Sequence, residues 1–137
     1  MLLIDIATRA VVQLAACDNV GRAAHIMAEK RISSLVVTDA NGHPVGIVTE
    51  RNMLRAMQSG CPQETALQEV MSAPVITVPQ SISCLDAYQL CLRDGIRHLV
   101  IVDGEQRLLG VISETDFRLH LNLTALAGRR KIATVAR

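Results

Sequence analysis

Apolar and polar positions along this chain follow two rhythms, one of period two and one of helical period, and the whole series is written twice. Ser34-Leu35-Val36-Val37-Thr38 is a β-branched run and reads as a buried strand. Asp39-Ala40-Asn41-Gly42 follows as a turn in which Gly42 can take positive φ, and residues 44–48 form the return strand. Thr49 opens a helix that runs to about residue 57, where Gly60-Cys61-Pro62 stops it. Ahead of these, residues 11–14 alternate as a short strand. Asp18 or Asn19 then caps a helix with an apolar stripe at Val20, Ala23, Ala24, Met27 and Ala28.

Sixty-four positions later the order returns: strand 75–78, helix 82–94, strand 98–102, turn 103–106, strand 108–112, and a helix from Glu114 to about Leu121. Gly46-Ile47-Val48-Thr49-Glu50-Arg51-Asn52 falls on Gly110-Val111-Ile112-Ser113-Glu114-Thr115-Asp116. Ile32-Ser33-Ser34-Leu35-Val36-Val37-Thr38-Asp39 falls on Ile96-Arg97-His98-Leu99-Val100-Ile101-Val102-Asp103 without a gap. A fixed internal period decides the organisation. The chain is two copies of one α+β unit, strand-helix-strand-strand-helix. The helix between the first two strands favours a parallel pair, and the tight turn makes the last two antiparallel. Each sheet then carries helices on one face, and two sheets packed through their helices would bury that face. The units span 5–60 and 75–122. Residues 61–74 link them, with a helical turn at 66–71, and 123–137 form a C-terminal helix or tail.

Composition narrows the function. Half of the 137 residues are apolar, yet there is one Phe, one Tyr and no Trp, so the core is expected to be aliphatic. The net charge is +1 and scattered, and aromatic stacking residues are lacking, which argues against nucleic acid as a partner. Apolar runs are strand-sized, far short of a membrane span, and the N-terminus meets Asp5 with no cleavage region of a signal peptide. The four cysteines form no CxxC pair. Cys84 and Cys91, seven apart on a helix, read as small hydrophobes, and no histidine has metal-ligand spacing with them. These features read as a cytoplasmic, reduced, metal-free protein. No Ser-His-Asp order, paired carboxylates, thiolate environment or Walker-type Gly-Lys-Thr/Ser is present, so an enzyme is not expected. Arg129-Arg130-Lys131-Ile132-Ala133-Thr134-Val135 loosely matches Leu67-Gln68-Glu69-Val70-Met71. It reads as a basic helix end, as a stretch before an appended scar at Ala136-Arg137, or as the start of a further segment of a longer protein; the last is preferred.

The doubled Gly-hydrophobic-x-Thr/Ser-x-x-Asp/Asn motif, the doubled apolar strand ending in Asp39 or Asp103, and the helices beginning at Asn19 or Ser83 resemble a tandem pair of CBS (cystathionine-β-synthase) domains, a Bateman module. The resemblance covers residues 5–122. It implies two βαββα repeats related by pseudo-twofold symmetry around a central cleft. It further implies a regulatory role in which AMP, ADP, ATP or S-adenosylmethionine is bound, no cofactor is required, and an output domain in the same full-length chain is controlled. A homodimer through the helices is implied as well.

The motif residues support such a ligand on their own chemistry. Ser113 and Thr49 stand where a strand hands over to a helix, and the helix N-terminus is a natural phosphate seat. Asp116 offers two acceptor oxygens to ribose hydroxyls, and Arg97 offers a fork to phosphate. His98 is either a phosphate contact or a half-buried helper of strand packing. Ile76 and Val111, with Val75 and Ile96, are candidates for the adenine slot, as are Val11, Val12 and Ile47 in the first copy. The competing structural reading is that Ser/Thr followed by Asp/Asn three residues later is a capping box, and that Gly46 and Gly110 merely admit close packing. Copy one has Asn52 for Asp and Ser33-Ser34 for Arg97-His98, and Arg51 there reads as a solvated surface residue. One competent site around Ser113 and Asp116 is therefore expected, and a weak or empty one around Thr49 and Asn52. The alternative is a ligand-free structural or dimerisation module.

Overall fold

The computed structural model describes residues 1–129, with side chains to residue 121. Two three-stranded sheets alternate with four helices. In the first unit β1 (Gln13–Ala15), α1 (Val20–Lys30), β2 (Ser34–Thr38), β3 (Pro44–Thr49) and α2 (Glu50–Gln58) follow in order. In the second, β4 (Thr77–Pro79), α3 (Cys84–Asp94), β5 (His98–Val102), β6 (Leu108–Ser113) and α4 (Glu114–Arg129) repeat them. β1 pairs parallel with β2 and β4 with β5, while β2–β3 and β5–β6 are antiparallel hairpins. Each register pair of one sheet maps onto its counterpart sixty-four residues away: Gln13 lies opposite Val36, and Thr77 opposite Val100. The expected α+β class and strand order hold. Of the C-terminal helix or tail expected over 123–137, residues 123–129 continue α4, and residues 130–137 lie outside the described residues.

Hydroxyl and amide side chains start the helices. Asn19 and Ser83 accept from the N–H groups of Arg22 and Asp86, which stabilises a helix start by about 1 kcal/mol. Gly95 ends α3 with φ of 66°, a conformation that costs glycine little.

The strands are apolar on both faces, and the two faces have different partners. Leu35, Val37 and Val48 point to Ala23 and Met27 of α1, while Leu99, Ile101 and Ile112 point to Cys84, Ala87 and Cys91 of α3 and to Phe117 of α4. The alternate positions Val36, Ile47, Val100, Val102 and Val111 form a third cluster that joins the sheets. The sheets therefore meet face to face through their strands, and the helices cover the outside. The expectation that helices lie between the sheets is corrected here. Period-two alternation assigns residues to opposite faces without saying which face takes the helices. The expected aliphatic core also needs amending: Phe117 is fully buried, with its ring centroid 5.3 Å from that of Tyr88 at an interplanar angle of 65°. Cys84 and Cys91 are buried beside them as expected, and burial pushes both thiols up.

Each unit lends its lead-in to the other. Leu3, in a 3₁₀ turn at Leu3–Asp5, is buried in the second unit's core, and Leu67, in a 3₁₀ turn at Leu67–Glu69, in the first unit's. Thr8 then exchanges two backbone hydrogen bonds of 3.0 Å with Val111 of β6. Ser72 does the same with Ile47 of β3, at 3.0 and 2.9 Å. Gly110 lies beneath that crossing: a Cβ there would stand 3.1 Å from the Thr8 carbonyl oxygen. Its counterpart Gly46 faces the Met71 side chain. The close approach these glycines admit is thus to the exchanged lead-ins rather than to a helix.

Candidate functional site

The two motifs open on one cleft. It has a volume of about 810 Å³ and runs between the units, lined on one side by Ser33, Ile47, Thr49, Glu50 and Arg51. The other side carries Ile96, Arg97, His98, Ser113, Glu114, Thr115, Asp116 and Arg118, with Pro74, Val75 and Ile76, which run from the linking segment into β4, between. That volume is in the range of small-molecule pockets. Ser113, Asp116, Arg97, His98, Ile76 and Thr49 are thereby brought together. Asn52, Gly110 and Val111 are not among the lining residues. Gly110 is covered by the Thr8 backbone, and Val111 belongs to the cluster between the sheets.

Asn52 is withdrawn for a stronger reason. The residue is 6% exposed. Oδ1 accepts from the Thr49 N–H at 2.7 Å and from the Thr49 hydroxyl at 2.9 Å. Nδ2 donates to the Val70 carbonyl at 3.0 Å and to Ser72 Oγ at 3.2 Å. The capping box is complete, and it also ties the exchanged lead-in to α2. A carboxylate cannot reproduce this, because it has no N–H for a carbonyl. At the equivalent place in the second unit stands Asp116. It is exposed on the cleft, and among the described residues its carboxylate makes no hydrogen bond or ion pair. Only its backbone N–H is used, donating to Ser113 Oγ at 3.1 Å. The same motif position is thus a structural clamp in one copy and a free acceptor in the other.

The helix start beside it is partly committed. The Glu114 N–H donates to the Arg97 carbonyl at 2.7 Å, so the Thr115 N–H, with the Ser113 hydroxyl, is what α4 can still offer an anion. Arg118, which sequence reasoning passed over, lies one turn on and pairs with Glu114 at 2.9 Å. From sequence this is an ordinary i,i+4 helix pair, and only the cleft distinguishes it. The apolar part of the lining is Ile47, Val75, Ile76, Ile96 and Val100, with Ile76 40% exposed.

His98 is half-buried, and desolvation holds its pKa below the ordinary 6.5; the Asp116 carboxylate pulls the other way, and Arg97 adds to the lowering. The lowering favours the neutral imidazole, so His98 adds little positive charge to the cleft. A histidine whose folded pKa is depressed binds its proton first in the unfolded chain, so stability falls as pH drops below the unfolded value. Urea unfolding at pH 7 and pH 5 should show this loss in the wild type and a smaller loss in His98→Gln. An equal loss in both would mean that His98 titrates as if in water.

The comparisons agree with this architecture. The CBS domain family matches residues 3–59 and again 67–122. An uncharacterised protein of Methanopyrus kandleri is 32% identical over 114 residues, which is 82% of this chain and 58% of that one. Inosine-5'-monophosphate dehydrogenase of Mycobacterium bovis is 40% identical over 93 residues, 67% of this chain but 17% of the dehydrogenase. The chain thus spans little more than half of the first relative and a small part of the second. Among solved structures, a CBS domain protein from Pyrobaculum aerophilum complexed with AMP superposes with a TM-score of 0.77 at 26% identity, covering 90% of this chain and 99% of that one. The CBS domain pair of protein MJ0100, in complex with 5'-methylthioadenosine and S-adenosyl-L-methionine, gives 0.78 at 22% identity, over 90% and 98%. Two matched copies, one fold and the doubled motif lead to one conclusion: this chain belongs to the CBS domain family, as a tandem pair.

Proposed function

We propose that the pair is a regulatory sensor that binds an adenosine-containing ligand in the cleft between its units and passes that state to an output domain. The observation that carries this reading is the Asp116 carboxylate, exposed in the cleft without a hydrogen-bonding partner among the described residues, while its counterpart Asn52 is fully used. An ionised carboxylate with four free lone-pair sites suits the two hydroxyls of a ribose. Ser113 and the Thr115 N–H lie beside it for a phosphate, and Ile76 and Ile96 offer an apolar slot for a base. Relatives of the same fold are complexed with AMP or S-adenosyl-L-methionine, which supports the ligand class. Ligand touching both units favours one relative arrangement of them, by as much as its affinities for the two arrangements differ.

On this reading the output domain belongs to the same full-length chain and the protein works in the cytoplasm. Among the described residues no helix is long and apolar enough to cross a membrane. Leu54, Met57 and Leu119 stay exposed on α2 and α4, which supports a homodimer through these helices, a reading that sedimentation equilibrium tests by returning twice the chain mass. The ligand-free structural module remains the second reading, because the Thr49–Asn52 box is a complete cap without any ligand.

Thermal unfolding with AMP, ADP, ATP, S-adenosylmethionine, NAD and cyclic dinucleotides separates the two readings. A ligand at ~100 times its dissociation constant adds about 2.7 kcal/mol, or roughly 5–10 °C. The shift should occur with an adenosine compound and vanish in Asp116→Ala. A flat panel at millimolar ligand would leave the structural module.

A further inference from the structure

Two segments of the chain cross the two sheets in the same way, but only one of them is tied to the helix that follows. Over the first unit the crossing segment is Val70-Met71-Ser72, and over the second it is Ile6-Ala7-Thr8, the counterpart sixty-four positions earlier. Their backbone frames match. Ser72 exchanges bonds of 2.9 and 3.0 Å with Ile47 of β3, and Thr8 exchanges two of 3.0 Å with Val111 of β6. Burial matches as well, with Ile6 and Val70 half-buried and Thr8 and Ser72 exposed. What differs is the third residue of the following helix, Asn52 in α2 and Asp116 in α4. Asn52 Nδ2 donates to the Val70 carbonyl at 3.0 Å and to Ser72 Oγ at 3.2 Å. An ionised Asp116 has no N–H to give. Among the described residues the Ile6 carbonyl and the Thr8 hydroxyl take no hydrogen bond, and Asp116 stays exposed.

We infer that position 116 is an open latch whose closed form the first unit displays. The charge of Asp116 leaves the lead-in Ile6-Ala7-Thr8 untied from α4, and an amide in its place would turn inward and clamp the Ile6 carbonyl and the Thr8 hydroxyl. A carboxylate brought there would set acceptor against acceptor at that carbonyl, so the ionised group remains in water. One donor therefore decides what the motif does. With it, the side chain joins helix, sheet and lead-in; without it, the side chain stays in the cleft. The consequence is mechanical. α2 is bound to the segment that crosses its sheet, whereas α4 and the N-terminal lead-in can shift past each other, so the second unit is the side of the cleft able to move. The latch belongs to the ligand-free chain and does not depend on the adenosine reading.

Melting of the full chain without ligand tests this. Asp116→Asn should melt about 3–6 °C above Asp116→Ala. The alanine variant is the reference because both substitutions remove a charge that the start of α4 favours. Thr8→Val deletes the hydroxyl and keeps the backbone bridge to Val111, and it should cut the gain by about half. Amide exchange reads the same latch directly. In the wild type, protection at Thr8 and Val111 should be lower than at Ser72 and Ile47, and Asp116→Asn should raise it by about fivefold. Equal melting of the asparagine and alanine variants would overturn the inference. A gain that Thr8→Val leaves whole, or that comes with unchanged protection at Thr8, would overturn it too, since α4 would then be stabilised without the lead-in. No step uses a ligand, so the adenosine reading stands or falls by its own melting panel.

Discussion

Phe117→Ala should cost about 3–5 kcal/mol, a large fraction of the stability of a domain this size. The side chain is fully buried among Leu3, Leu99, Ile101 and Ile112, and its ring meets that of Tyr88 edge-on. Deleting it forfeits the transfer of the ring from water and leaves a hole that rigid strands on one side and α3 on the other cannot close. The counterpart position in the first unit holds Met53, which is only partly buried and has no aromatic neighbour. Met53→Ala should therefore cost distinctly less. Denaturant unfolding of the two variants measures both. A Phe117→Ala loss under about 1 kcal/mol would mean that the second core collapses around the hole, contrary to the packing described. The effect also bears on the site, because Phe117 follows Asp116 on α4 and anchors the turn that presents the carboxylate. Ligand affinity should fall with it.

What could be read from the sequence follows from which patterns are local. The repeat, the strand order and the helix starts near Asn19 and Thr49 rest on periodicity and on side chains three residues apart and are found, whereas β1 and β4 begin two residues later than the alternation suggests and α3 begins at Cys84 rather than at residue 82. The contact between the sheets was misplaced, because Leu35-Val36-Val37 is apolar on both faces and a neighbour sixty residues away decides which face meets what. Leu3 and Thr8 stand sixty-four positions before Leu67 and Ser72, but nothing local says that each segment joins the core of the other unit. The exchange rests on backbone bridges at Leu2 and Thr8 in one segment and at Ala66 and Ser72 in the other, and on apolar side chains led by Leu3 and Leu67. The cleft was legible as a list of residues but not as a geometry. Ser113, Asp116, Arg97 and His98 sit in one motif-bearing unit, whereas the presence of Thr49 and Arg51 on the same cleft depends on how the two sheets meet. The loss of Asn52 to a structural role could be anticipated only in part. Its cap with Thr49 is local, but its bonds to Val70 and Ser72 span 18 and 20 residues.

That division of labour yields the second large effect. Asn52→Asp brings the first motif to the acidic form of the second, and it should nonetheless destabilise the protein by about 2–4 kcal/mol at pH 7. The new carboxylate keeps the two acceptor contacts to Thr49. The Ser72 hydroxyl can turn to donate to it, but the Val70 carbonyl, which the amide serves at 3.0 Å, would face a second acceptor in a buried position. Burial and that carbonyl both disfavour the ionised form, so the folded-state pKa of the new carboxyl rises above its unfolded value. For a carboxyl shifted in that direction the folded chain holds its proton more tightly, and stability falls as pH rises through the gap between the two values. The cost relative to wild type should accordingly be full at pH 7 and shrink toward pH 4, where the protonated carboxyl can donate to Val70. Urea unfolding of both proteins at the two pH values, taken as a difference so that other carboxylates cancel, reads this directly. A cost that stays constant with pH would mean that the side chain swings out of its buried place into the cleft. The first unit would then gain the free carboxylate it lacks. A shrinking cost would instead show that the side chain at position 52 stays on Val70 and Ser72, holding the lead-in of the other unit.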